Sequence, residues 1–195
     1  MIESKLIPKA LFADKSVKSV NQLKGFTGIE YIASMNQTHS DIVAFVESPR
    51  IYDSDGIYTE KQKLGLVVKT ADCLPILLSD KKRIGALHCG WRGLKNNIVK
   101  KAINKFDVNQ LSISIGPHAH SCCYEVKEDV KKHFNKYTES REGKFFLNMS
   151  QILKDLSEEE GFQIEVSSIC TICNSSYNSY RENKTIERQF GVIWI

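Results

Sequence analysis

The chain is 195 residues long and 42% hydrophobic, which suits one ordinary domain with a sizeable core. No stretch approaches the roughly 18 consecutive apolar residues of a membrane span. The start, MIESKLIPKA, lacks the basic-then-apolar pattern of a secretory signal. The net charge of +4 is spread out rather than concentrated in a patch. We therefore expect a cytoplasmic protein with neither a nucleic-acid nor a membrane partner.

Strands dominate the first half of the predicted elements. Apolar and β-branched runs predict them at Tyr31–Gln37, Leu64–Thr70, Leu74–Leu78 and Ile84–Cys89. Leu64–Thr70 is continuously apolar near its centre, so we expect it to be buried on both faces. The last two runs are separated only by a short polar turn, which favours a hairpin.

Helices enter after residue 93. Apolar residues at helical spacing predict helices over Leu94–Phe106, Val126–Tyr137 and Asn148–Glu160, the third stopped by Gly161. Strands are predicted at Leu111–Ile115, Gln163–Thr171 and Phe190–Ile195. The mixture favours an α+β protein in which helices cover mixed sheets, without a regular βαβ repeat. No repeat or linker divides residues 1–195, so we expect one domain.

Six cysteines are scattered through the chain. The cytosol keeps thiols reduced, so each is a candidate metal ligand, nucleophile or core residue. Cys170 and Cys173 form a C-x-x-C pair beside a predicted strand, and no second such pair exists, so we expect a packing role. Cys122 and Cys123 are adjacent, so we expect their side chains to diverge and not to share a ligand.

Three metal-type side chains stand beside turn residues at predicted strand ends: His39, Cys73 and His88. Two imidazoles and one thiolate suit zinc, and three protein ligands leave a position open, as in catalytic zinc sites. The three are far apart in sequence. Their spacing alone therefore also allows a buried cysteine and two hydrogen-bonded histidines.

Six short blocks surround these residues in a fixed order. They are Q-T-H, D-S-D-G-I-Y-T, T-A-D-C-L-P, H-C-G-W-R-G, G-P-H-A-H-S-C-C-Y-E-V and S-I-C-T. From about residue 31 to the C-terminus, the sequence resembles the YfiH family, also called multicopper polyphenol oxidase-like or laccase-domain proteins. Peptidoglycan editing factors are among its members.

The resemblance implies a four-layer α/β/β/α sandwich and zinc ligands at His39, Cys73 and His88. It also implies action on purine nucleosides: phosphorolysis of adenosine, inosine or methylthioadenosine, and deamination of adenosine. The expected partners are thus a small purine nucleoside and phosphate, and the expected cofactor is Zn²⁺. Monomer and homodimer both remain open.

The sequence departs from the family near its start and near residue 118. The usual T-R-x-G-G-x-S and N-L-G segments are not visible, so the N-terminal region is shortened and substrate preference is left open. His118 and His120 stand where small or apolar residues are more usual, which leaves the role of these two histidines open.

Several residues near the ligands are candidates for catalysis or substrate binding. Arg92 follows His88 closely at a predicted helix start, where its planar guanidinium suits phosphate. Asp72 is the candidate proton carrier, although a strand would turn it away from Cys73. The candidate substrate-binding residues are Trp91, Tyr124 and Asp55 together with Arg92, and Arg181 is a weaker anion-binding candidate.

Three other functions are alternatives to action on purine nucleosides. Cys73 paired with a histidine could act as the nucleophile of a cysteine-type hydrolase. A cell-wall editing protein with a structural metal is a second alternative. Copper-dependent polyphenol oxidation is the third, and we disfavour it because a multicopper oxidase needs many more histidine ligands than the five in this chain.

Overall fold

The computed structural model describes residues 1–195, with fifteen β-strands and six α-helices. The strands are β1 Ile2–Glu3, β2 Ala10–Phe12, β3 Tyr31–Met35, β4 Val43–Phe45, β5 Ile51–Tyr52, β6 Gly56–Thr59, β7 Leu64–Thr70, β8 Leu74–Ser79, β9 Ile84–Cys89, β10 Ser112–Ile115, β11 Glu125–Val126, β12 Thr138–Arg141, β13 Lys144–Leu147, β14 Gln163–Val166 and β15 Gln189–Ile193. The helices are α1 Val20–Thr27, α2 Trp91–Lys95, α3 Ile98–Ile103, α4 Glu128–Lys131, α5 Met149–Glu160 and α6 Tyr180–Asn183.

Two six-stranded mixed sheets form the centre of the fold. The first has the order β1-β2-β15-β7-β3-β5 and the second β14-β10-β8-β9-β6-β4. In the first sheet β3 runs parallel to β7, whereas β15 runs antiparallel to it. A third sheet, β11-β13-β12, is small and antiparallel. The hairpin predicted from the runs Leu74–Leu78 and Ile84–Cys89 is confirmed as the antiparallel pair β8 and β9.

The two large sheets pack face to face, and each also carries helices on its outer face. Alternate residues of β7 divide accordingly: Leu66 and Val68 enter the core between the sheets, whereas Val67 packs in the α1 core. In β8, Leu77 faces the first sheet and Ile76 faces the helices α3 and α5. This gives the four layers expected of the family and explains the continuous apolar runs.

The longest helix, α5, follows the prediction closely. The side chain of Asn148 caps it by accepting the backbone N–H of Gln151, and Gly161 ends it in the left-handed region at φ 86°. Its buried face, which includes Leu153 and Leu156, joins the core on the outer side of the second sheet. No helix in the protein combines the length and the apolar character that crossing a bilayer requires.

The helix predicted over Leu94–Phe106 is wrong as one element. It consists of α2 and α3, separated at Asn97, whose φ of 61° is left-handed. Asparagine tolerates that conformation, which a continuous α-helix cannot contain. The apolar spacing survived the break because both short helices still bury their side chains against the second sheet.

The prediction of a helix over Val126–Tyr137 is also wrong at both ends. Val126 pairs with Phe145 in the small sheet, so the helix begins only at Glu128, and it ends after one turn. The strand predicted over Gln163–Thr171 stops at Val166. The hairpin of β12 and β13, α1 and the first two strands were not predicted. Glu142 and Gly143 both have positive φ, as a tight two-residue hairpin loop requires.

Candidate metal centre

His39, Cys73 and His88 converge at one end of the two packed sheets. His39 lies in the loop after β3, Cys73 between β7 and β8, and His88 near the end of β9. Their ligand atoms all lie within 4.8 Å of one another. Cys73 Sγ is 3.9 Å from His39 Nε2, and the two imidazole rings meet edge to face with centroids 4.7 Å apart. The three predicted ligands are therefore brought together.

The buried carboxylate of Asp55 fixes two of these ligands at once. It lies 2.7 Å from His88 Nδ1, which donates to it, so that Nε2 of His88 is left for a metal. It also accepts the backbone N–H groups of Thr38, His39 and Ser40, at 3.1, 3.0 and 2.7 Å. These bonds hold the His39 loop in place even though His39 itself has a left-handed φ of 63°.

Gln37 anchors the same loop to the end of β7. Its side-chain amide donates to the Lys69 carbonyl at 2.6 Å and accepts the Lys69 N–H at 3.0 Å. The side chain thus mimics a neighbouring strand. Because β7 leads directly to Cys73, this pair of bonds sets His39 and Cys73 at a fixed separation.

The charges of the cluster favour a thiolate next to an imidazolium before any ion binds. Burial opposes the charge on His88, but hydrogen bonds to Asp55 and Cys73 overcome it and raise its pKa to about 9. Burial also disfavours ionised Cys73, yet hydrogen bonds from His39 and His88 lower the pKa of its thiol to about 6. Asp55 has a pKa well below its usual range: burial raises it, but hydrogen bonds from His88 and Ser40 prevail.

These donors fit a metal ion in both chemistry and space. Zinc binds imidazole nitrogen and thiolate sulfur, and copper accepts the same atoms. A Cβ atom at Gly90 would lie 2.9 Å from Cys73 Sγ and 3.4 Å from a carbon of the His39 ring. The absence of a side chain at Gly90 thus leaves room beside the ligands. Three protein donors would leave a fourth position of a zinc ion open, and the exposed His39 would place the ion close to solvent.

Asp55 and Asp72 do not occupy the positions expected from the sequence. Asp55 has no exposed surface and its oxygens are bonded to the protein, so it supports His88 and cannot contact a substrate. Asp72 has φ 87° and accepts the Thr171 hydroxyl at 2.8 Å and the Arg181 N–H at 2.6 Å. It joins two loops and offers no free carboxylate for proton transfer. The D-S-D-G block contains Asp55, but nothing in the sequence indicated that Asp55 bonds to His88.

Arg92 and Trp91 lie just beyond the ligand His88. The Arg92 guanidinium is exposed, forms no ion pair and stacks on the half-buried Trp91 ring with its central carbon 4.5 Å from the centroid. The guanidinium is therefore free to bind an anion, and the predicted role of Arg92 stays a prediction. Arg92 covers one face of the Trp91 ring, which also packs against the core of the second sheet, and stacking of a base on Trp91 stays a prediction. Since α2 has only five residues, its N-terminus adds little to anion binding.

Tyr124 and Arg181 pack against each other near Cys73 and form one wall of the candidate site. The Arg181 guanidinium stacks on the Tyr124 ring at 5.0 Å and donates to the Glu125 carbonyl. Burial, and then the nearby negative charge of Cys73, raise the pKa of the Tyr124 phenol well above its usual range. The phenol thus stays protonated and can donate a hydrogen bond.

A second cluster of metal-type side chains lies outside this centre, contrary to the sequence analysis. The four sulfur atoms of Cys122, Cys123, Cys170 and Cys173 lie within 4.8 Å of one another. Residues 121–123 and 171–173 form turns, so the alternation of side chains that holds in a strand does not apply. The expectation that the side chains of Cys122 and Cys123 diverge was therefore wrong, whereas the packing role expected of Cys170 and Cys173 stays a prediction.

His118 and His120 lie beside the turn of Cys170, not among the three ligands. The His118 ring is fully buried and hydrogen-bonds to the Gly116 carbonyl at 2.8 Å. Burial, and then the charge of nearby His120, lower its pKa to about 3. His118 is consequently neutral near pH 7.

Residues 14–195 match the sequence family described as multi-copper polyphenol oxidoreductase laccase. This chain belongs to the YfiH family. Among its curated YfiH relatives, a protein of Aquifex aeolicus named purine nucleoside phosphorylase is 36% identical over 181 residues, covering 89% of this chain and 87% of the relative. A Clostridium acetobutylicum protein with the same activity in its name is 32% identical and covers 90% of this chain and 81% of its own length.

Solved YfiH-family structures share the fold. A Neisseria meningitidis protein of family DUF152 has a TM-score of 0.80 at 26% identity, with coverage of 90% of this chain and 78% of that one. YlmD from Geobacillus stearothermophilus has a TM-score of 0.86 at 18% identity, with coverage of 98% and 93%. The α+β architecture expected from the YfiH resemblance is thereby confirmed.

Proposed function

We propose that this protein is a zinc-dependent purine nucleoside phosphorylase whose metal is held by His39, Cys73 and His88. The observation that carries the proposal is the convergence of these three ligand atoms within 4.8 Å, with His88 oriented by Asp55. The names of the 36% and 32% identical relatives support the same reaction. The six free cysteines agree with a reducing, cytoplasmic setting.

In phosphorolysis a phosphate oxygen forms a bond to C1′ of the ribose while the bond from C1′ to the purine N9 breaks. The bonding electrons leave with the purine, which takes up a proton. Bound zinc would act as a Lewis acid that stabilises negative charge developing in this step. The protein must therefore bind the phosphate, orient the nucleoside and donate to the departing base.

Arg92 is the residue best placed to bind phosphate. Its guanidinium is exposed, unpaired and held by stacking on Trp91, so its planar fork is partly ordered before phosphate arrives. Tyr124 supplies a protonated phenol near Cys73 for a hydrogen bond to the base or ribose. Arg181, stacked on Tyr124, adds positive charge to that wall.

We place phosphorolysis ahead of adenosine deamination, which we include as a weaker second activity. Deamination replaces phosphate with water and requires a group that moves protons between water and the leaving ammonia. Asp55, which contacts His88, and Asp72, which precedes Cys73, are both bound to backbone and side-chain donors. The Tyr124 phenol remains as a proton donor, but neither of these two carboxylates is free to act as a base.

The direct test is to incubate metal-quantified protein with inosine or adenosine, with and without phosphate, and to separate the products. We expect hypoxanthine or adenine together with ribose 1-phosphate only when phosphate is present. Slow conversion of adenosine to inosine would continue without phosphate. Metal-loaded protein that turns over neither nucleoside contradicts the proposal.

A matched pair of histidine variants makes the test specific. His39→Ala removes an exposed ligand and should abolish turnover, whereas His133→Ala removes an exposed histidine far along the chain from the ligands and should not. Equal activity of the two variants would show that the reaction does not occur at this centre.

One observation favours a second candidate, a cysteine-type hydrolase. The thiol of Cys73 has a pKa lowered to about 6 and faces two imidazoles, as in activated cysteine nucleophiles. Metal occupancy separates the two candidates. Stoichiometric zinc that protects Cys73 from iodoacetamide favours the phosphorylase, and rapid alkylation of Cys73 in active, metal-free protein favours the hydrolase.

A further inference from the structure

We propose that Cys122, Cys123, Cys170 and Cys173 hold a second zinc ion in a structural four-thiolate site. This cluster is separate from His39, Cys73 and His88, and the proposal does not depend on the enzymatic activity. Four cysteine ligands without an open position are characteristic of zinc that stabilises a fold.

The separations of the sulfur atoms suit one metal ion. Tetrahedral zinc with Zn–S bonds of about 2.3 Å places its sulfur atoms about 3.8 Å apart. Here Cys173 Sγ lies 3.6 Å from Cys122 Sγ and 3.0 Å from Cys123 Sγ, and all four sulfurs lie within 4.8 Å. In a cluster with several irons the thiolates bind different metals and lie farther apart. The cluster therefore fits a single ion if Cys123 Sγ and Cys173 Sγ, now 3.0 Å apart, separate to about 3.8 Å.

The two pairs of cysteines are presented by two turns that face each other. His118 and Cys170 form a parallel bridge, which brings the turns together just before each begins. The N–H of Asn174 donates to the Cys170 carbonyl and closes the turn that contains Cys173. The N–H of His120 points at Cys170 Sγ at 3.5 Å, as backbone donors do around metal thiolates.

A disulfide accounts for these contacts less well than an ion does. Cys173 Sγ is near two sulfurs of the opposite turn, and a disulfide can use only one of them. Either disulfide would leave two further thiols crowded against it. A central cation uses all four sulfurs and balances the charge of their thiolate forms.

Zinc suits this position better than a single iron ion. Cys122 and Cys173 are exposed, whereas Cys170 is buried and Cys123 half-buried. A centre that reaches the surface on one side meets oxygen, and zinc has no redox chemistry through which oxygen could attack it.

The proposed ion also supports the first centre through Asp72. Thr171 lies between the two cysteines of its turn and donates its hydroxyl to Asp72, the residue before Cys73. The backbone of Ala119, just before the other turn, donates to the Asp72 carbonyl at 2.9 Å. Tyr124 directly follows Cys123. Holding the two turns together thus positions the Cys73 loop and one wall of the proposed nucleoside site.

Metal counting on the full-length protein tests the proposal. We expect about two zinc ions per chain in the wild type and about one after Cys170→Ser/Cys173→Ser, measured by elemental mass spectrometry. His39→Ala should also retain about one. Cys89→Ala removes a buried cysteine outside both clusters and should keep both ions.

X-ray absorption at the zinc edge of the His39→Ala protein keeps the test decisive if the double variant fails to fold. We expect only sulfur neighbours, about four of them at about 2.3 Å. Zinc that persists in His39→Ala supports this site even when the wild type proves inactive on nucleosides. Zinc-free His39→Ala protein, iron in place of zinc, or a Cys123–Cys173 disulfide found by alkylation without reductant would overturn it.

Discussion

The two clusters of metal-type side chains are built on different parts of the fold. His88 lies near the end of a strand of the second sheet, Cys73 and His39 lie on loops that follow strands of the first sheet, and Asp55 fixes His39 and His88. The four cysteines instead occupy two turns joined by a single bridge between His118 and Cys170. The first cluster keeps its shape through the sheets, whereas the second has little regular structure to hold it.

The ligand atoms of the two clusters differ as well. Two nitrogens and one sulfur leave a coordination position open for a reactant, whereas four sulfurs fill every position. A site held by sheets can lose its ion without losing its shape. A site formed by two turns depends on its ion for its shape, so we expect metal loss to affect activity at one cluster and stability at the other.

The largest expected effect is on turnover at the three-donor cluster. Cys73→Ala should lower kcat/KM for phosphorolysis by at least about 10³-fold, or about 4 kcal/mol, because the Lewis acid is lost. The melting temperature should change little, because Cys73 is half-buried at a strand end. Steady-state kinetics and thermal melting on the same preparation check this, and a large drop in melting temperature with residual activity would contradict the division of roles.

The next effect is on stability at the four-cysteine cluster. Cys170→Ser/Cys173→Ser should lower the free energy of unfolding by about 3 kcal/mol, because bound zinc stabilises only the folded turns. For a chain of this size that corresponds to a melting temperature lower by about 6–12 °C. Calorimetry of the variant and of the wild type measures it, and equal melting temperatures would remove the stabilising role.

A smaller effect is expected from the carboxylate behind His88. Asp55→Asn should weaken zinc binding at the three-donor cluster by about 10–100-fold, since the amide no longer orients and polarises the imidazole. Competition with a chromophoric chelator measures the affinity. The four-cysteine ion should be retained in the same titration. If both ions weaken together, the clusters are not independent.

Arg92 should affect substrate binding more than chemistry. Arg92→Ala should raise the KM for phosphate by about tenfold with a smaller change in kcat, because a charge-assisted bond is lost. Arg92→Lys should recover only part of this, since lysine lacks the planar fork. The KM for inosine serves as the internal control, and an equal rise in both KM values would argue against a phosphate site.

The smallest effect concerns acid and lies outside both clusters. Glu165 accepts hydrogen bonds from Ser114 and Ser4; burial raises its pKa, but these bonds lower it below its usual range. Its stabilisation is full above the ordinary glutamate pKa and is lost as pH falls below that range. Glu165→Gln should flatten the acid limb of the stability curve by about 1 kcal/mol. Subtracting the acid-dependent loss of stability due to Glu165 isolates the loss of stability that comes from metal release.

The sequence predicted the parts of the structure that follow from regular patterns. The strands β7, β8 and β9 carry apolar runs that two-sided burial explains. The blocks around His39, Cys73 and His88 predicted that these three side chains converge, and the structure brings them together. The break at Asn97 left no trace in the apolar spacing, because α2 and α3 bury the same face. The four-cysteine cluster depends on turn conformations and on contacts between distant segments, which residue types alone do not encode.

Rigidity is distributed unevenly around the three-donor cluster. His88 belongs to β9, near the middle of the second sheet. The backbone N–H of His88 donates to the backbone carbonyl of Asp55 at 2.7 Å. His39 is exposed on a loop that belongs to no strand. Because His39 is exposed and His88 is buried, we expect a bound ion to reach bulk water past His39 without any opening of the sheet. We therefore expect metal to be loaded and exchanged over the His39 loop, with exchange faster than amide hydrogen exchange in β9.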